Sequence, residues 1–393
     1  MGTDTNWPAI GYEHTAWEPF AGLSRRERRY GEYQSAIVPE IADLDPRLST
    51  STSALVDEAS FEIARFDGEM GGEIAPFAAV LLRTESASSS EIEHLSASAK
   101  AIALAELGDT SKRNATEIAA NTRAMNAAIR LSDRLDATTI LEMHKALFGD
   151  ANPRIPGGRW RTDAVWIGGN TPHSAEFVPP GHEHVVPAIE DLVRFMDRDD
   201  VPVLCHAAVA HAQFETIHPF GDGNGRTGRA LVHAMLRGKG LTRNITVPVS
   251  AGLLTNPDRY FDALTAYRAG DIEPIARSFA ESSFRAIANG RELVEEIRAI
   301  RSEWREKVRA RRDSAAHRIL DALARQPVMD TAFAQREMAI SSSAARRAFA
   351  ELEEAGIVTE FSGMKRNRCW RSDEVLLALD SFAGKAGRRG RPG

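Results

Sequence analysis

The sequence predicts a mainly α-helical fold with more than one domain. Alanine is frequent and apolar residues recur at helical spacing through most of the chain, whereas strand-like alternation is confined to a few short runs. A length of 393 residues suits two or three domains. The hydrophobic share of 43% and the charged share of 26% are typical of a globular soluble protein.

Composition also limits the functional class. The net charge of −6 argues against binding nucleic acid through the bulk charge of the chain. The first residues do not show the charged and then apolar pattern of a signal peptide, and no apolar run approaches the roughly 18 residues of a membrane-spanning helix. Cys205 and Cys369 lie far apart and do not form a disulfide framework. We therefore expect a cytoplasmic protein.

The most informative stretch runs from His218 to Arg229 and reads HPFGDGNGRTGR. Residues 203–217 before it have a helical pattern. Pro219 disfavours the α conformation of the preceding residue, so we expect that helix to end with the histidine at its lip. The glycines of the run allow successive backbone N–H groups to point into one concavity, which favours an anion.

The side chains of this stretch supply complementary chemistry. His218 has an unperturbed pKa near neutrality and is the natural proton acceptor. The carboxylate of Asp222 is the kind of oxygen ligand that Mg²⁺ between phosphates requires. Arg226 opens a second helix, whose N-terminus favours phosphate, and Arg229 follows on the same face. The pattern indicates a general base beside a phosphate site.

Three other interpretations of this stretch are weaker. The run from Gly223 spells G-x-G-x-x-G, but a helical pattern precedes it and residues 245–252 lack the acid that a dinucleotide fold needs. The Gly-Lys-Ser/Thr of a P-loop is absent. A structural histidine beside a glycine turn would explain His218 alone, but not the whole combination.

The stretch resembles the signature of the Fic family, His-x-Phe-x-Asp/Glu-Gly-Asn-Gly-Arg-x-x-Arg, at every fixed position. The resemblance implies a Fic-type helical core that transfers a nucleotide monophosphate, usually AMP from ATP, onto a protein hydroxyl. In that scheme His218 deprotonates the acceptor Ser, Thr or Tyr, and Asp222 holds Mg²⁺ (or Mn²⁺) on the phosphates. The implied phosphate ligands are the amides of Gly223 to Gly225, Asn224 for the α-phosphate, Arg226 for the β-phosphate and Arg229 for the γ-phosphate.

Residues 85–107 contain a second informative run, SSSEIEH. From the residues alone this is a solvated helix start, with serines at the cap and acids in the first turn. The Fic resemblance implies another role, because many members carry Ser/Thr-x-x-x-Glu-Gly/Asn on an inhibitory helix before the signature. Ser89 and Glu93 match that pattern, and Glu93 would then pair with Arg229 in place of the γ-phosphate. His94 departs from the usual Gly or Asn.

Residues 159–179 alternate like short strands around a Gly-Gly-Asn turn, which predicts a β-hairpin. The hairpin is either a structural ribbon or a flap whose edge pairs with an extended target segment. In Fic-like proteins a hairpin at this place binds the target protein by strand addition and covers the adenine, so Val165 and Ile167 are implied base contacts. The nearby His182-Glu183-His184 lacks the spacing of a zinc motif, and we expect loop surface there.

The segment 246–268 contains two further candidates for the nucleotide site. The Fic resemblance implies a Ser…Asn-Arg-x-x-Tyr-Tyr element, in which the asparagine meets the nucleotide and an aromatic ring lies near the ribose or base. Asn256 and Tyr260 correspond to it, although one residue is inserted between asparagine and arginine. Helix capping by Asn256, with Pro257 at the first helical position, is the structural alternative.

The remaining segments predict the domain organisation. Residues 1–79 form an arm and a helix on the core; the arm, to about residue 48, has an irregular pattern, and we expect its aromatic residues to anchor it on the core. Residues 80–290 form the Fic core and 291–312 form a helical connector. Residues 313–383 show three helical stretches and a basic-tipped hairpin, which resembles a winged helix. Residues 384–393 are Gly/Arg-rich, and we expect them to be disordered.

The winged-helix-like segment has two open interpretations. A modest basic face for DNA is offered by Arg346, Arg347, Arg366 and Arg368. The alternative is a protein-interaction or dimerisation domain, because this fold has many roles. A second copy of the chain is therefore a possible partner.

The function expected from these features is protein adenylyltransfer from ATP, autoinhibited by Glu93. Two enzyme alternatives share the motif: transfer of another phosphate-bearing group, and removal of AMP from modified protein with Glu93 activating water. An alternative of a different class is a DNA-binding transcriptional regulator that senses nucleotide through its Fic core.

Overall fold

The computed structural model describes residues 7–17, 31–69, 74–149, 155–308, 311, 314–362 and 368–387. Most of these residues are helical, and the described strands form two small antiparallel sheets. The mainly α-helical prediction is confirmed. The chain divides into two compact units: 1–61, 123–241 and 257–281 form the first unit, and 62–122, 242–256 and 282–393 form the second.

The elements of the described residues have the following bounds. The helices are α1 (Thr50–Glu69), α2 (Ile74–Ile92), α3 (Ala99–Glu106), α4 (Arg113–Arg130), α5 (Ala137–Phe148), α6 (Val185–Asp197), α7 (Val203–Ile217), α8 (Asn224–Gly238), α9 (Val249–Leu254), α10 (Pro257–Arg268), α11 (Glu273–Lys307), α12 (Ala315–Leu323), α13 (Thr331–Met338), α14 (Ser342–Glu354) and α15 (Asp373–Ala386). The strands are β1 (Gly11–Trp17), β2 (Gly31–Ile37), β3 (Val328–Asp330), β4 (Thr359–Glu360) and β5 (Cys369–Arg371).

The first unit is built around the adjacent helices α7 and α8. From Leu204 onward every residue of α7 is buried, and several of them are alanines. Small side chains let neighbouring helices approach closely, so α5, α6 and α10 pack around this pair. The two central helices are joined by the loop between Ile217 and Asn224, which places the motif loop at one end of the helix pair.

The N-terminal arm is more ordered than the sequence predicted. Strands β1 and β2 pair antiparallel, from Gly11 opposite Ile37 to Trp17 opposite Gly31. The prediction of an irregular arm was wrong here, because pairing between two strands that are separated in the chain leaves no local pattern in the sequence. Residues 18–30, which separate the two strands, lie outside the described residues. The expected aromatic anchoring is confirmed: Trp7 is 6% exposed, with its ring centroid 6.4 Å from that of Phe195.

The second unit contains α2, which begins earlier than the predicted inhibitory helix. The serines of the SSSEIEH run lie in its last turns instead of at an N-cap, and the chain turns at Glu93 and His94 before α3. The helix-start interpretation was therefore wrong. Ser89 is buried and Ser90 donates to the Ser86 carbonyl at 2.8 Å, so serines tolerated inside the helix bond back to its own backbone.

The C-terminal elements follow the predicted order of three helices and a hairpin. Strand β3 was not predicted, and it completes a sheet of order β3-β5-β4. The expected hairpin tip at 363–367, with Arg366, lies outside the described residues. Helix α15 continues through Ala386, so the predicted disordered tail begins too early. The apolar face of α15, including the buried Phe382 and Ala386, holds its last turn in place; residues 388–393 lie outside the description.

The predicted DNA-binding face stays a prediction. Arg346 and Arg347 are exposed on α14, as expected. Arg368, however, lies 3.6 Å from Glu360 and 3.9 Å from Glu353, which offsets its charge. The winged-helix interpretation and the predicted domain boundaries are likewise predictions. Among the described residues, no helix combines the length and the apolar character needed to cross a bilayer.

Candidate active site

The candidate base lies where α7 ends. The helix stops at Ile217, as predicted, and His218 adopts the left-handed conformation (φ 50°, ψ 61°) while its N–H donates to the Phe214 carbonyl at 2.9 Å. Its side chain is 20% exposed. The imidazole is thus held at the lip of a buried helix and can be reached from solvent.

One acidic side chain beside the base was missed by sequence reasoning. Glu215 lies one turn earlier on α7, and its Oε2 is 3.9 Å from Nδ1 of His218. The residue is only 6% exposed. A charged residue inside an otherwise apolar helical run was the available signal, because acids are seldom buried without a role or a partner.

The motif loop is shaped by a glycine and an asparagine. Gly223 has φ +79°, and a Cβ there would lie 2.5 Å from the Phe148 ring, so this position requires glycine. The Asn224 side chain closes the loop: its Oδ1 accepts from the Phe220 N–H at 2.9 Å and its Nδ2 donates to the Phe220 carbonyl at 2.8 Å. Asn224 therefore shapes the anion loop, while its contact with an α-phosphate stays a prediction.

The two arginines follow at the start of α8. Arg226 and Arg229 are 3% and 2% exposed, so both guanidinium groups are fixed within the protein. Arg226 lies over the ring of Phe148 and its Nη2 is 3.6 Å from Asp222 Oδ1. The helix N-terminus and these charges together make this end of α8 strongly electropositive.

Asp222 combines exposure with a fixed position. Its side chain is 54% exposed, and its Oδ1 accepts from the N–H of Gly223 at 2.5 Å. The carboxylate is therefore oriented by the loop and keeps oxygen atoms directed to solvent. Such an oxygen suits Mg²⁺ or Mn²⁺, which bind through one or two carboxylates and complete their shell with phosphate oxygens and water.

His144, on α5, is a second residue that the sequence did not indicate. Its Nδ1 accepts from the Gly158 N–H at 3.0 Å, so Nε2 carries the proton and donates to the Asp222 carbonyl at 3.1 Å. Burial lowers the pKa of His144 to about 4, which keeps the ring neutral at physiological pH. The His144 ring thus holds the backbone of the motif loop at Asp222. No local sequence pattern distinguishes His144 from an ordinary core residue.

The predicted flap is smaller than expected. Instead of a two-stranded hairpin there is a single antiparallel bridge between Ile167 and Phe177. The approach to it is irregular because Arg161 is used elsewhere: its N–H donates to the Pro219 carbonyl and its Nε to the His218 carbonyl, both at 2.9 Å. The base of the flap is therefore tied directly to the motif loop, a contact that the sequence did not indicate.

Comparison with known proteins agrees with this geometry. Residues 134–236, which include α5 to α8, match the model of the Fic/DOC family. This part of the chain is therefore similar to Fic/DOC domains.

The chain is also similar to curated proteins. The chain is 31% identical over 154 residues to protein adenylyltransferase fic-1 of Caenorhabditis elegans, covering 38% of this chain and 28% of the relative. It is 31% identical over 156 residues to protein adenylyltransferase Fic of Drosophila melanogaster, covering 38% and 29%. The match thus spans less than a third of the length of these relatives.

A solved structure shows the shared fold over more of the chain. A Fic family protein from Desulfovibrio desulfuricans superposes with a TM-score of 0.51 at 18% identity, covering 83% of this chain and 97% of that one. The predicted mainly α-helical fold is confirmed.

The other predicted contacts of the Fic domain are less direct. Val165 and Ile167 are half-buried in the flap region. Tyr260 is 1% exposed and its hydroxyl lies 2.7 Å from Nε2 of His211, which favours a structural role in the first unit. Asn256 precedes α10, where Pro257 is the first helical residue, so the structural alternative fits. The nucleotide contacts of these four residues stay predictions.

The turn after α2 explains one departure from the family pattern. His94 has φ +61°, a conformation that Gly and Asn adopt at lower cost than other residues. The usual Gly or Asn at this position therefore reflects backbone geometry, and His94 makes the same turn. Glu93 is exposed beside it and Ser89 is buried.

The His182-Glu183-His184 segment forms an exposed 3₁₀ turn. Among the described residues, Glu183 and His184 form one group with Glu13 of β1 whose possible ligand atoms lie within 4.8 Å of one another. His184 Nε2 is 3.5 Å from Glu13 Oε1. Exposed ion pairs explain this geometry, and the expectation of ordinary loop surface stays a prediction.

Proposed function

We propose that the protein transfers AMP from ATP to a Ser, Thr or Tyr hydroxyl of a target protein. The observation that carries the proposal is the sequence of groups along one short loop: a base at the lip of α7, a glycine-shaped anion loop and two buried arginines at the start of α8. Phosphoryl and nucleotidyl transfer depend mainly on positioning and on neutralising charge, and these are what the loop supplies.

The chemistry follows from the residues of the loop. The imidazole of His218 accepts the proton of the acceptor hydroxyl, whose oxygen forms a bond to the α-phosphorus of ATP. The bond between the α-phosphorus and the bridging oxygen to the β-phosphate breaks, and pyrophosphate leaves. The amides at the start of α8, Arg226 and Arg229 stabilise the negative charge of the phosphates. No covalent enzyme intermediate is required.

Asp222 is the residue that would hold a divalent cation. Its exposed, loop-oriented carboxylate fits Mg²⁺ or Mn²⁺. When bound, the cation would neutralise phosphate charge and help to orient the triphosphate.

The target protein would bind along the flap by strand addition. Support comes from the position of the Ile167–Phe177 bridge, whose base is fastened by Arg161 to the carbonyls of the motif loop. Part of this ribbon is already paired, because the Ala36 N–H of β2 donates to the Val178 carbonyl at 3.0 Å. A target segment would therefore pair with the other edge, nearer Val165.

We further propose that Glu93 limits this activity by pairing with Arg229 in place of the γ-phosphate, as the family resemblance implies. Support comes from the match of Ser89 and Glu93 to the inhibitory pattern and from the tight turn at His94. The guanidinium group of Arg229 stays protonated, so the Glu93 carboxylate and the γ-phosphate would compete for the same positive charge.

The test uses two radiolabelled forms of ATP with Mg²⁺ and the Glu93→Gly protein. Label on protein from α-³²P-ATP, with none from γ-³²P-ATP, is expected for AMP transfer. Label from the γ-phosphate alone would show phosphorylation and contradict the proposal. Incubation of the labelled product, freed of ATP, with the protein that retains Glu93 then measures AMP removal. Retention of a DNA fragment with no labelling at all would favour the regulator alternative instead.

A further inference from the structure

Glu215 has no part in the reaction described so far, although it lies beside the candidate base. Its Oε2 is 3.9 Å from Nδ1 of His218, and it is only 6% exposed. Burying an ionised carboxylate is unfavourable unless another charge or hydrogen bonds offset the loss of water. The surroundings of Glu215 therefore indicate whether it is an ionised partner of the imidazole.

One buried cation is affected by the charge of this carboxylate. Arg268, in the last turn of α10, is affected by the charge of Glu215, which acts to raise its pKa. Burial is the larger effect and lowers that pKa to about 10. Arg268 thus stays positively charged at neutral pH. Its guanidinium lies over the ring of Phe177 with 3.8 Å to the centroid, and Phe177 is the flap residue that bridges to Ile167.

Helix α8 packs directly on the same carboxylate. A Cβ at Gly228 would lie 2.9 Å from Glu215 Oε1 and 3.1 Å from Nδ1 of His211. Burial lowers the pKa of His211 to about 3, so this neighbour is neutral. Glu215 is therefore the charged group of α7 that lies beside His218. Arg161 contacts His218 at its backbone carbonyl.

We propose that Glu215 is the positioning residue of the base, an inference that rests on the proposed transfer. Its carboxylate turns the Nδ1–H of His218 toward itself and so leaves Nε2 to accept the proton of the target hydroxyl. It then stabilises the imidazolium that forms, and stays ionised throughout. A carboxylate that fixes the tautomer and orientation of a catalytic imidazole is a recurring arrangement in enzymes. Arg268 keeps that carboxylate ionised and couples it to the flap through Phe177.

The test compares Glu215→Gln with Glu190→Gln, which makes the same charge change at an exposed position on α6. Both substitutions are made in the Glu93→Gly protein, so that the proposed inhibition does not mask labelling. Two quantities are measured: the titration midpoint of His218 by ¹⁵N NMR of histidine-labelled protein, and the pH profile of single-turnover labelling with α-³²P-ATP. In Glu215→Gln we expect the midpoint of His218 to fall by about one unit, because a neighbouring negative charge is lost. We also expect the plateau rate to fall by at least about tenfold.

A purely structural role for Glu215 would lower the rate without moving the midpoint, and that result would overturn the proposal. Equal effects in Glu190→Gln would do the same. If Glu215→Gln does not fold by circular dichroism, Glu215→Asp serves instead, since it keeps the negative charge but moves it farther from His218; its midpoint should then fall below that of the parent by less than about one unit. Absence of labelling in every protein would refute the proposed transfer, while the NMR midpoint would still decide the role of Glu215.

Discussion

The imidazole of His144 lies flat on the ring of Phe220, with 3.7 Å between ring centroids and 3° between their planes. This stack joins α5 to the motif loop at the residue whose backbone is closed by Asn224. The loop that would hold ATP is therefore supported by hydrogen bonds and ring contacts that the twelve motif residues cannot make alone. The first prediction tests that support.

Replacing His144 with Phe should keep the ring stack and remove both hydrogen bonds, to the Asp222 carbonyl and from the Gly158 N–H. We expect a loss of about 1–3 kcal/mol in the free energy of unfolding, because two buried backbone groups lose their partner. Urea unfolding followed by circular dichroism measures it. The exposed His182→Phe change should cost less than about 0.5 kcal/mol. Equal stability of the two variants would show that the hydrogen bonds of His144 are unimportant.

Acidification should destabilise the protein through its buried histidines. Burial lowers the pKa of both His144 and His206 to about 4, against 6.5 for the ordinary group. Between these values the unfolded state binds more protons, so stability is fully present above pH 6.5 and is lost as pH falls toward 4. Each histidine contributes at most about 3 kcal/mol to this loss. The urea midpoint of unfolding, plotted against pH, should have a shallower slope in His206→Gln than in the parent. An unchanged slope would argue against a contribution of His206 to the acid sensitivity.

Gly223 and Gly221 provide a matched pair in the motif loop. Gly223→Ala places a Cβ 2.5 Å from the Phe148 ring at a φ of +79°, and we expect a loss of at least about 1–3 kcal/mol. Gly221→Ala meets no atom within 4 Å and lacks a positive φ, so its thermal unfolding midpoint should stay close to that of the parent. The reverse order of stability would mean that the loop conformation described here is incorrect.

Replacing His218 with Ala should abolish transfer of AMP and leave the affinity for ATP within about twofold, because the base takes the acceptor proton and makes no required contact with the triphosphate. Labelling with α-³²P-ATP in the Glu93→Gly background gives the first quantity, and isothermal titration calorimetry gives the second. The exposed His182→Ala protein is the control. Undiminished labelling in His218→Ala would rule out this histidine as the base.

Replacing Glu93 with Gly should raise self-labelling by at least about fivefold, since removal of an inhibitory carboxylate frees the arginine for the γ-phosphate. Asp109→Gly makes the same charge change at an exposed position of the second unit and should label like the parent. A lower signal in Glu93→Gly, or an equal rise in Asp109→Gly, would contradict the inhibitory assignment. Measuring both with α-³²P-ATP keeps the comparison direct.

The sequence by itself indicated the resemblance to the Fic family, the motif residues and the end of α7, because each depends on local chemistry. Pro219 disfavours the helical conformation of the residue before it, which ends α7, and the run from His218 to Arg229 contains a base, a carboxylate and an anion site within one short loop. Helical spacing likewise determined the mainly α-helical fold.

Only the tertiary structure decided which distant residues support that loop. His144, Arg161 and Arg268 lie far from the motif in the chain, and no local pattern marks them, since each depends on which helix or ribbon packs against the loop. The conformation at His94 and the pairing of β1 with β2 were also invisible in the sequence. Both depend on backbone geometry, which side-chain patterns specify weakly when no regular period is present.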